Sequence, residues 1–441
     1  MAILLFDRYF LASAHPLPWK KLLCLLAPFA VAPAWIAVRS LLLPIFAESQ
    51  ALATLGRMPN LVHLEHLSPL HYLFTEFSVF WLYLRLLVFP KGQALDYDYP
   101  IVATFWTATT LLALAGVFLL LVLAALGRKK YPRLSFGILW FFLTLAIEST
   151  IIPLDPIFEH RLYIPMFGFG LTVMACFAKL PSRFALSVTG VIILVLAVLT
   201  WQRNSLWNDP VAFYQNNLQR APRNERVYLE LGNAFMNTGR DAEAQELYKK
   251  GLEINPDYTL LHLSLAKSLV HVKEYQRAVA VLASAIEIAP ENDDLYVDLG
   301  GTYIIMQRFD QAIAVLQKVL PYAQDNPNIY VNLAVAYERT GRLKEARGYF
   351  EKAIQLDPNN PQHYFMLAVA LSRHGEFEEA LQAYLKALEH DANNERALFY
   401  AAMASHELGN TQLTRRLAEK LQQVNPALAK ELTRRTHALR E

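Results

Sequence analysis

From Pro222 onward the sequence repeats with a period of 34 residues. Pro222, Pro256, Pro290, Pro358 and Pro426 are separated by multiples of that number, and Ala244, Ala278, Ala312, Ala346 and Ala380 keep one phase without a break. The pairs Leu231-Gly232, Leu265-Ala266, Leu299-Gly300, Leu333-Ala334 and Leu367-Ala368 keep it too. A constant period means that each unit is one small element pair whose apolar face is buried only by the next unit, so the chain folds as a stack rather than a globule. Small residues are expected where two antiparallel helices touch, large ones (Tyr248, Phe350, Tyr384) between units, and proline where the second helix ends.

This spacing resembles the tetratricopeptide repeat over Glu225 to about Leu428. Five units follow the pattern, and a sixth from Glu395 has Thr414 in place of the alanine and reads as a capping repeat. Residues 202–224, with Trp207 and the run from Asp209 to Pro222, form a half-repeat linker, and 429–441 are expected as a tail. The resemblance implies a concave groove formed by the first helices, which takes extended or helical peptides. Its lining would be the apolar row Leu229, Leu263, Val297, Val331, Phe365 and Phe399, with Asn233 and Lys267 nearby. The same row also fits packing between helices, and the lysine and asparagine set that clamps a terminal carboxylate is not evident.

The first 201 residues are of another kind. They carry 14 Lys+Arg and 9 Asp+Glu, a net +5, while the remaining 240 carry 27 and 30. A bilayer core of about 30 Å needs roughly 20 apolar helical residues. Leu22–Pro44, Ile101–Leu126, Leu134–Pro153 and Phe184–Trp201 meet or nearly meet that need, and Ile157–Leu180 is a fifth candidate that opens on charged residues. The fold class is therefore all-α, a polytopic helical membrane domain over 1–201 followed by a solenoid. Tyr72–Pro90 is interrupted by Glu76 and Arg85 and is read as an amphipathic helix in the outer interface. Lys20 and Lys21, then Arg128, Lys129, Lys130 and Arg133, then Lys179 and Arg183 all fall on one side of five spans. By the positive-inside rule that side is the cytoplasm, so the repeats lie opposite.

An overall charge of +2 and a slightly acidic repeat region exclude a nucleic-acid binder that relies on a basic surface. Cys24 and Cys176, both in apolar runs, exclude a disulfide framework and a cysteine zinc site. His63, His66 and His71 beside Glu65 lack the spacing of a helical zinc pair, and no metal site is expected. Ionisable residues gather near the expected outer face at Asp96 and Asp98, at Glu148, and at Asp155, Glu159, His160, Arg161 and Tyr163. A carboxylate inside a span costs about 2.5 to 3.5 kcal/mol on insertion scales, so Glu148 needs a partner, for which Arg161 or His160 is available. Two readings stay open for this group. Arg161 and His160 hold the phosphate of a lipid-linked substrate, since the guanidinium fork suits phosphate oxygens, or Glu148, Glu159 and Arg161 form a structural ion-pair network.

The stretch FEHRLYIPMFGFG opening a late span, the acidic and aromatic LDYDYP, and the carboxy-terminal repeats together resemble the transmembrane and tetratricopeptide-repeat O-mannosyltransferases and their bacterial relatives, C-type enzymes that use sugar carried on polyprenyl phosphate. The resemblance implies a role for Glu159, Arg161, Tyr163, Pro165 and Gly168 in binding lipid phosphate or shaping the pocket, with Asp96 and Asp98 as an outer-face acidic stretch. It also implies a polyprenyl-phosphate-linked sugar as donor. Family members carry a catalytic acid in a loop after the first span. No such loop is found here, and Asp7 does not replace it, so the chain is expected to be truncated or non-catalytic. Two functions follow: a glycosyltransferase-like protein whose array presents extracytoplasmic polypeptides, or a membrane-anchored scaffold that recruits partners. Membrane lipid and an extracytoplasmic protein are the expected partners. The absence of any Asn-X-Ser/Thr sequon favours the bacterial inner membrane, with the repeats on the periplasmic side.

Overall fold

A computed structural model describes residues 69–94, 97, 101–102, 105–146, 157, 159–178 and 180–436. The expected first span at Leu22–Pro44, together with His63, Glu65, His66, Asp96, Asp98, Glu148 and Asp155, lies outside the described residues. The described residues are helical, without strands. The chain divides into two compact units, 1–227 and 228–441.

In the first unit, α1 (Pro69–Val88), α2 (Ala108–Gly127), α3 (Pro132–Leu145) and α4 (Tyr163–Phe177) pack together, followed by α5 (Ser182–Ser205) and the short α6 (Pro210–Leu218). Helix α1, expected to be amphipathic, packs one face against its neighbours. Tyr72, Thr75, Glu76, Val79, Phe80, Tyr83 and Leu86 are all buried, a stripe at three- and four-residue spacing that makes α1 a member of the bundle. Its core partners are Val117 of α2, Phe141, Phe142 and Leu145 of α3, and Leu162. Trp81 anchors the contact with α2, where its indole donates to Ala113 O at 3.0 Å and its ring fills the space a side chain at Gly116 would need.

Helices α3 and α4 approach most closely. A Cβ on Gly137 would stand 2.6 Å from Gly168 O, and one on Gly168 would stand 2.5 Å from Gly137 O, so the two backbones touch where both residues lack side chains. Trp140 Nε1 donates to Ile164 O across the same seam at 3.0 Å. Among the described residues, α2 and α5 are long and apolar enough to cross a membrane. Helices α3 and α4, with 14 and 15 residues, reach about 21 to 23 Å at 1.5 Å per residue. These helices are shorter than the expected third and fourth spans, because helix α3 ends at Leu145 and residues 159–162 form a 3-10 turn ahead of α4.

The second unit is a solenoid of helix pairs: α7 (Glu225–Asn237) with α8 (Asp241–Ile254), α9 (Thr259–His271) with α10 (Tyr275–Ile288), α11 (Asp293–Ile305) with α12 (Phe309–Val319), α13 (Pro327–Arg339) with α14 (Leu343–Leu356), α15 (Pro361–Arg373) with α16 (Phe377–His390), and α17 (Glu395–Glu407) with α18 (Thr411–Val424). The five phase alanines are fully buried, and Tyr248 packs flat over Gly232. Asparagines at the same phase cap the first helices: Asn292, Asn326, Asn360 and Asn394 each accept a backbone N–H. Between the helices of each pair one residue takes a left-handed backbone: Gly239, Lys273, Gln307, Gly341, Gly375 and Gly409.

The sixth pair is complete. Thr414 is fully buried, and its hydroxyl is satisfied by Asn410 O at 2.9 Å and Ser405 Oγ at 3.2 Å, so threonine substitutes for alanine without an orphaned polar group. The expected tail is helical as far as Thr436. Helix α19 (Pro426–Thr436) starts on proline and buries Ala429, Leu432 and Thr436 on one face, which covers the last pair.

Candidate functional site

Of the charged motif that opens α4, the structure divides the members between inside and outside. Arg161 is 7% exposed and turns into the bundle, where Nη1 donates to Tyr72 Oη at 3.3 Å and lies 4.0 Å from Glu76 Oε1. Both side chains of that ion pair are out of solvent. The carboxylate that broke the apolar run of α1 is therefore the internal counter-ion of Arg161. Glu159 accepts from Ala94 N at 3.0 Å and from Tyr97 Oη at 2.6 Å. Burial, with the hydrogen bond to the Glu159 carboxylate and its charge, raises the Tyr97 phenol well above its ordinary range. His160 and Tyr163 are exposed, and Pro165 and Gly168 are buried at the α3 seam. Among the described residues Glu159 and Arg161 thus have separate partners, Ala94 and Tyr97 for the one and Tyr72 and Glu76 for the other.

In the solenoid, first helices of successive repeats touch along α9, α11, α13, α15 and α17, and second helices make no comparable contact. The first helices therefore form the inner wall. The expected apolar row is not one continuous surface. Leu229, Leu263, Phe365 and Phe399 are buried and pack between helices, because large side chains at this phase are needed to fill the space between neighbouring first helices. Val297 and Val331 are half-buried, Lys267 is exposed, and Asn233 accepts from Tyr248 Oη at 2.9 Å.

What remains accessible on the inner wall is mostly polar, and it bridges neighbouring helices. Lys267 Nζ of α9 lies 3.5 Å from Asp298 Oδ2 of α11, without hydrogen-bond geometry. Burial, reinforced by Asp294 and opposed by Lys267, pushes the Asp298 carboxyl above its ordinary value. Burial and Asp293 do the same to Asp294. Gly301, one turn along, meets only Asn332 Nδ2 at 3.7 Å, and Asn332 donates to Val297 O at 3.1 Å. Further along, the buried Glu338 of α13 accepts from Arg373 Nη1 of α15 at 3.3 Å and lies 3.4 Å from Arg339 Nε. Phe365, Tyr384 and Tyr400 form a triangle with ring centroids 5.8, 6.1 and 6.2 Å apart, and Arg396 lies over Phe365 at 5.1 Å. Tyr400 is its open corner; Tyr384 is enclosed, and its phenol is pushed up to about 12. Reading the sequence for an apolar lining missed these residues. Asp298 and Asn332 each follow a residue of the expected row, and their polar side chains were the available signal.

The repeated helix pair, its phase residues and its inner wall define a tetratricopeptide-repeat protein. The chain belongs to the family described as the cilia and flagella-associated protein 70 C-terminal domain, which matches residues 177–403. It is also similar to the protein O-mannosyl-transferase F38B6.6 of Caenorhabditis elegans, 26% identical over 42% of this chain and 28% of that protein. The protein O-mannosyl-transferase TMTC1 of Mus musculus is 25% identical over 36% of this chain and 18% of its own length. The match thus spans less than a third of either relative. Among solved structures, the Thermus thermophilus repeat protein TTC0263 is 22% identical, covers 41% of this chain and 98% of its own, and superposes with a TM-score of 0.38.

Proposed function

We propose that this is an integral membrane protein whose repeat array holds a polypeptide on the extracytoplasmic side, in the service of O-glycosylation from a polyprenyl-phosphate-linked sugar. The observation that carries the reading is α5. It spans 24 residues, about 36 Å at 1.5 Å per residue, and buries none of them. An apolar helix exposed all round needs lipid or another apolar partner to cover it, and the repeat array begins at Glu225, 20 positions past its end at Ser205. Orientation rests on Arg128, Lys129, Lys130 and Arg133 between α2 and α3 and on Arg183 at the start of α5, which put the far end of α5 outside. This argument does not depend on whether α1 crosses. The similarity to O-mannosyl-transferases supports the link to sugar transfer, and His160 and Tyr163 are the described motif members exposed to a headgroup.

A second reading, a non-catalytic scaffold that recruits partners through the same array, is favoured by one observation: Glu159 and Arg161 are both engaged inside the bundle. Glycan occupancy of exported proteins separates the two. Deletion of the gene is expected to strip hexose from at least one exported protein. If glycosylation is unchanged while array partners are still co-purified, the scaffold reading stands and transfer is lost.

A further inference from the structure

Taken as a charge pattern, the inner wall has two poles. Helix α11 contributes Asp293, Asp294 and Asp298 and no basic residue, and Lys267 of α9 is the one cation bridged to them across the wall. Asp298 Oδ2 is enclosed and accepts no hydrogen bond, so its negative charge is only loosely met by an exposed lysine amine 3.5 Å away. Beside it, Gly301 leaves a notch: an added Cβ would touch only Asn332 Nδ2, at 3.7 Å. One and two repeats on, Arg339 of α13 and Arg373 of α15 face the single carboxylate of Glu338.

We propose that the occupant of this wall is a dipolar polypeptide segment, with a lysine or arginine side chain seated at the Gly301 notch against Asp298 and Asp294 and a carboxylate side chain at Arg373. This rests on the reading of the array as a polypeptide holder and adds the chemistry and register of what is held. Neighbouring packed helices lie 8 to 10 Å apart, so from α11 to α15 is roughly 16 to 20 Å. Extended chain advances 3.3 to 3.6 Å per residue, which sets the two charges about five or six residues apart. Residues between them meet Val331 and Val335 of α13, so apolar side chains suit that interval. Poles of opposite sign also reject the peptide with its charges exchanged in the same chain direction, because each charge would then face its like.

The test uses the full chain in detergent micelles and fluorescence anisotropy with labelled peptides that place a lysine and a glutamate at this separation, in both orders, beside versions with Lys→Gln or Glu→Gln. One order is expected to bind, to weaken about tenfold or more when either charge is removed, and to weaken with added salt. The Asp298→Asn protein, checked for unchanged helicity, is expected to bind the Lys→Gln peptide as well as the lysine peptide, which shows that the two groups meet. The peptide arms stand even if that variant misfolds. Equal binding of charged and neutral peptides overturns the dipolar assignment and leaves the polypeptide-holding reading intact. If no peptide binds a folded array, both are overturned.

Discussion

Glu76 and Arg161 face each other where neither meets water, and removing one partner strands the other. Arg161→Met or Glu76→Leu alone is expected to cost about 3 to 5 kcal/mol, while the two together should be close to neutral, because apolar replacements of both fill the volume without a stranded charge. Thermal unfolding of the three variants in micelles checks this, and an additive double variant would show that the pair does not interact. Asp298 makes the opposite demand. Its folded pKa lies above its unfolded one, so its contribution favours folding below the ordinary carboxylate pKa of about 4 and is lost as pH rises through the raised value. Asp298→Asn is therefore expected to raise the melting temperature of the array at pH 7, and the gain should fade as pH is lowered towards 4. At this scale the residue types near the site were legible in the sequence but their partners were not. Glu76 read as an interruption of α1 because its counter-ion lies 85 positions away, and no local pattern pairs them.

The turn between paired helices puts one residue per repeat in the left-handed region, and four of the six are glycine. Lys273 at φ 65° and Gln307 at φ 60° carry a side chain there at a cost of about 1 kcal/mol. Gln307→Gly is expected to stabilise the array by up to about that amount, whereas the same change at Lys318, inside α12, should destabilise it by about 1 kcal/mol. Chemical denaturation of both variants tests the contrast. The seam between α3 and α4 gives a sharper one: Gly137→Val forces a side chain against Gly168 O and Thr172 and is expected to cost at least about 1 to 3 kcal/mol. Element types were readable from period alone in the array, where each 34-residue unit repeats the same caps and turns. In the first unit, an apolar run does not record where its helix stops. The 3-10 turn at Glu159–Leu162 and the end of α3 at Leu145 are set by packing, and the inward stripe of α1 was masked because apolar residues also occupy its other face.

For the whole molecule, the side of the membrane that receives the array decides what it can meet. A reporter joined after Glu441 is expected to report the extracytoplasmic side, and added protease to cut the array in sealed spheroplasts while sparing α2. Cytosolic signal from that reporter would remove the array from exported polypeptides. The two-part architecture was legible from the charge contrast about Trp201 and from the period. The inner wall was legible only as a location. Its apolar row closed into packing, and its accessible surface came from polar residues that phase arithmetic alone does not rank.

Neighbouring helices of the first unit are under opposite constraint. Between α3 and α4 a single methyl group is too much, so those positions have almost no freedom to drift. Helix α5 touches nothing in its unit through a buried side chain, and Gly190 on it has open space around it. Apart from Arg203, whose guanidinium lies over the Phe213 ring, its sequence answers only to the solvent that surrounds it. An unrelated apolar helix of equal length should replace it with folding intact, and any position on α5 that refuses such exchange would mark where another chain lies against it.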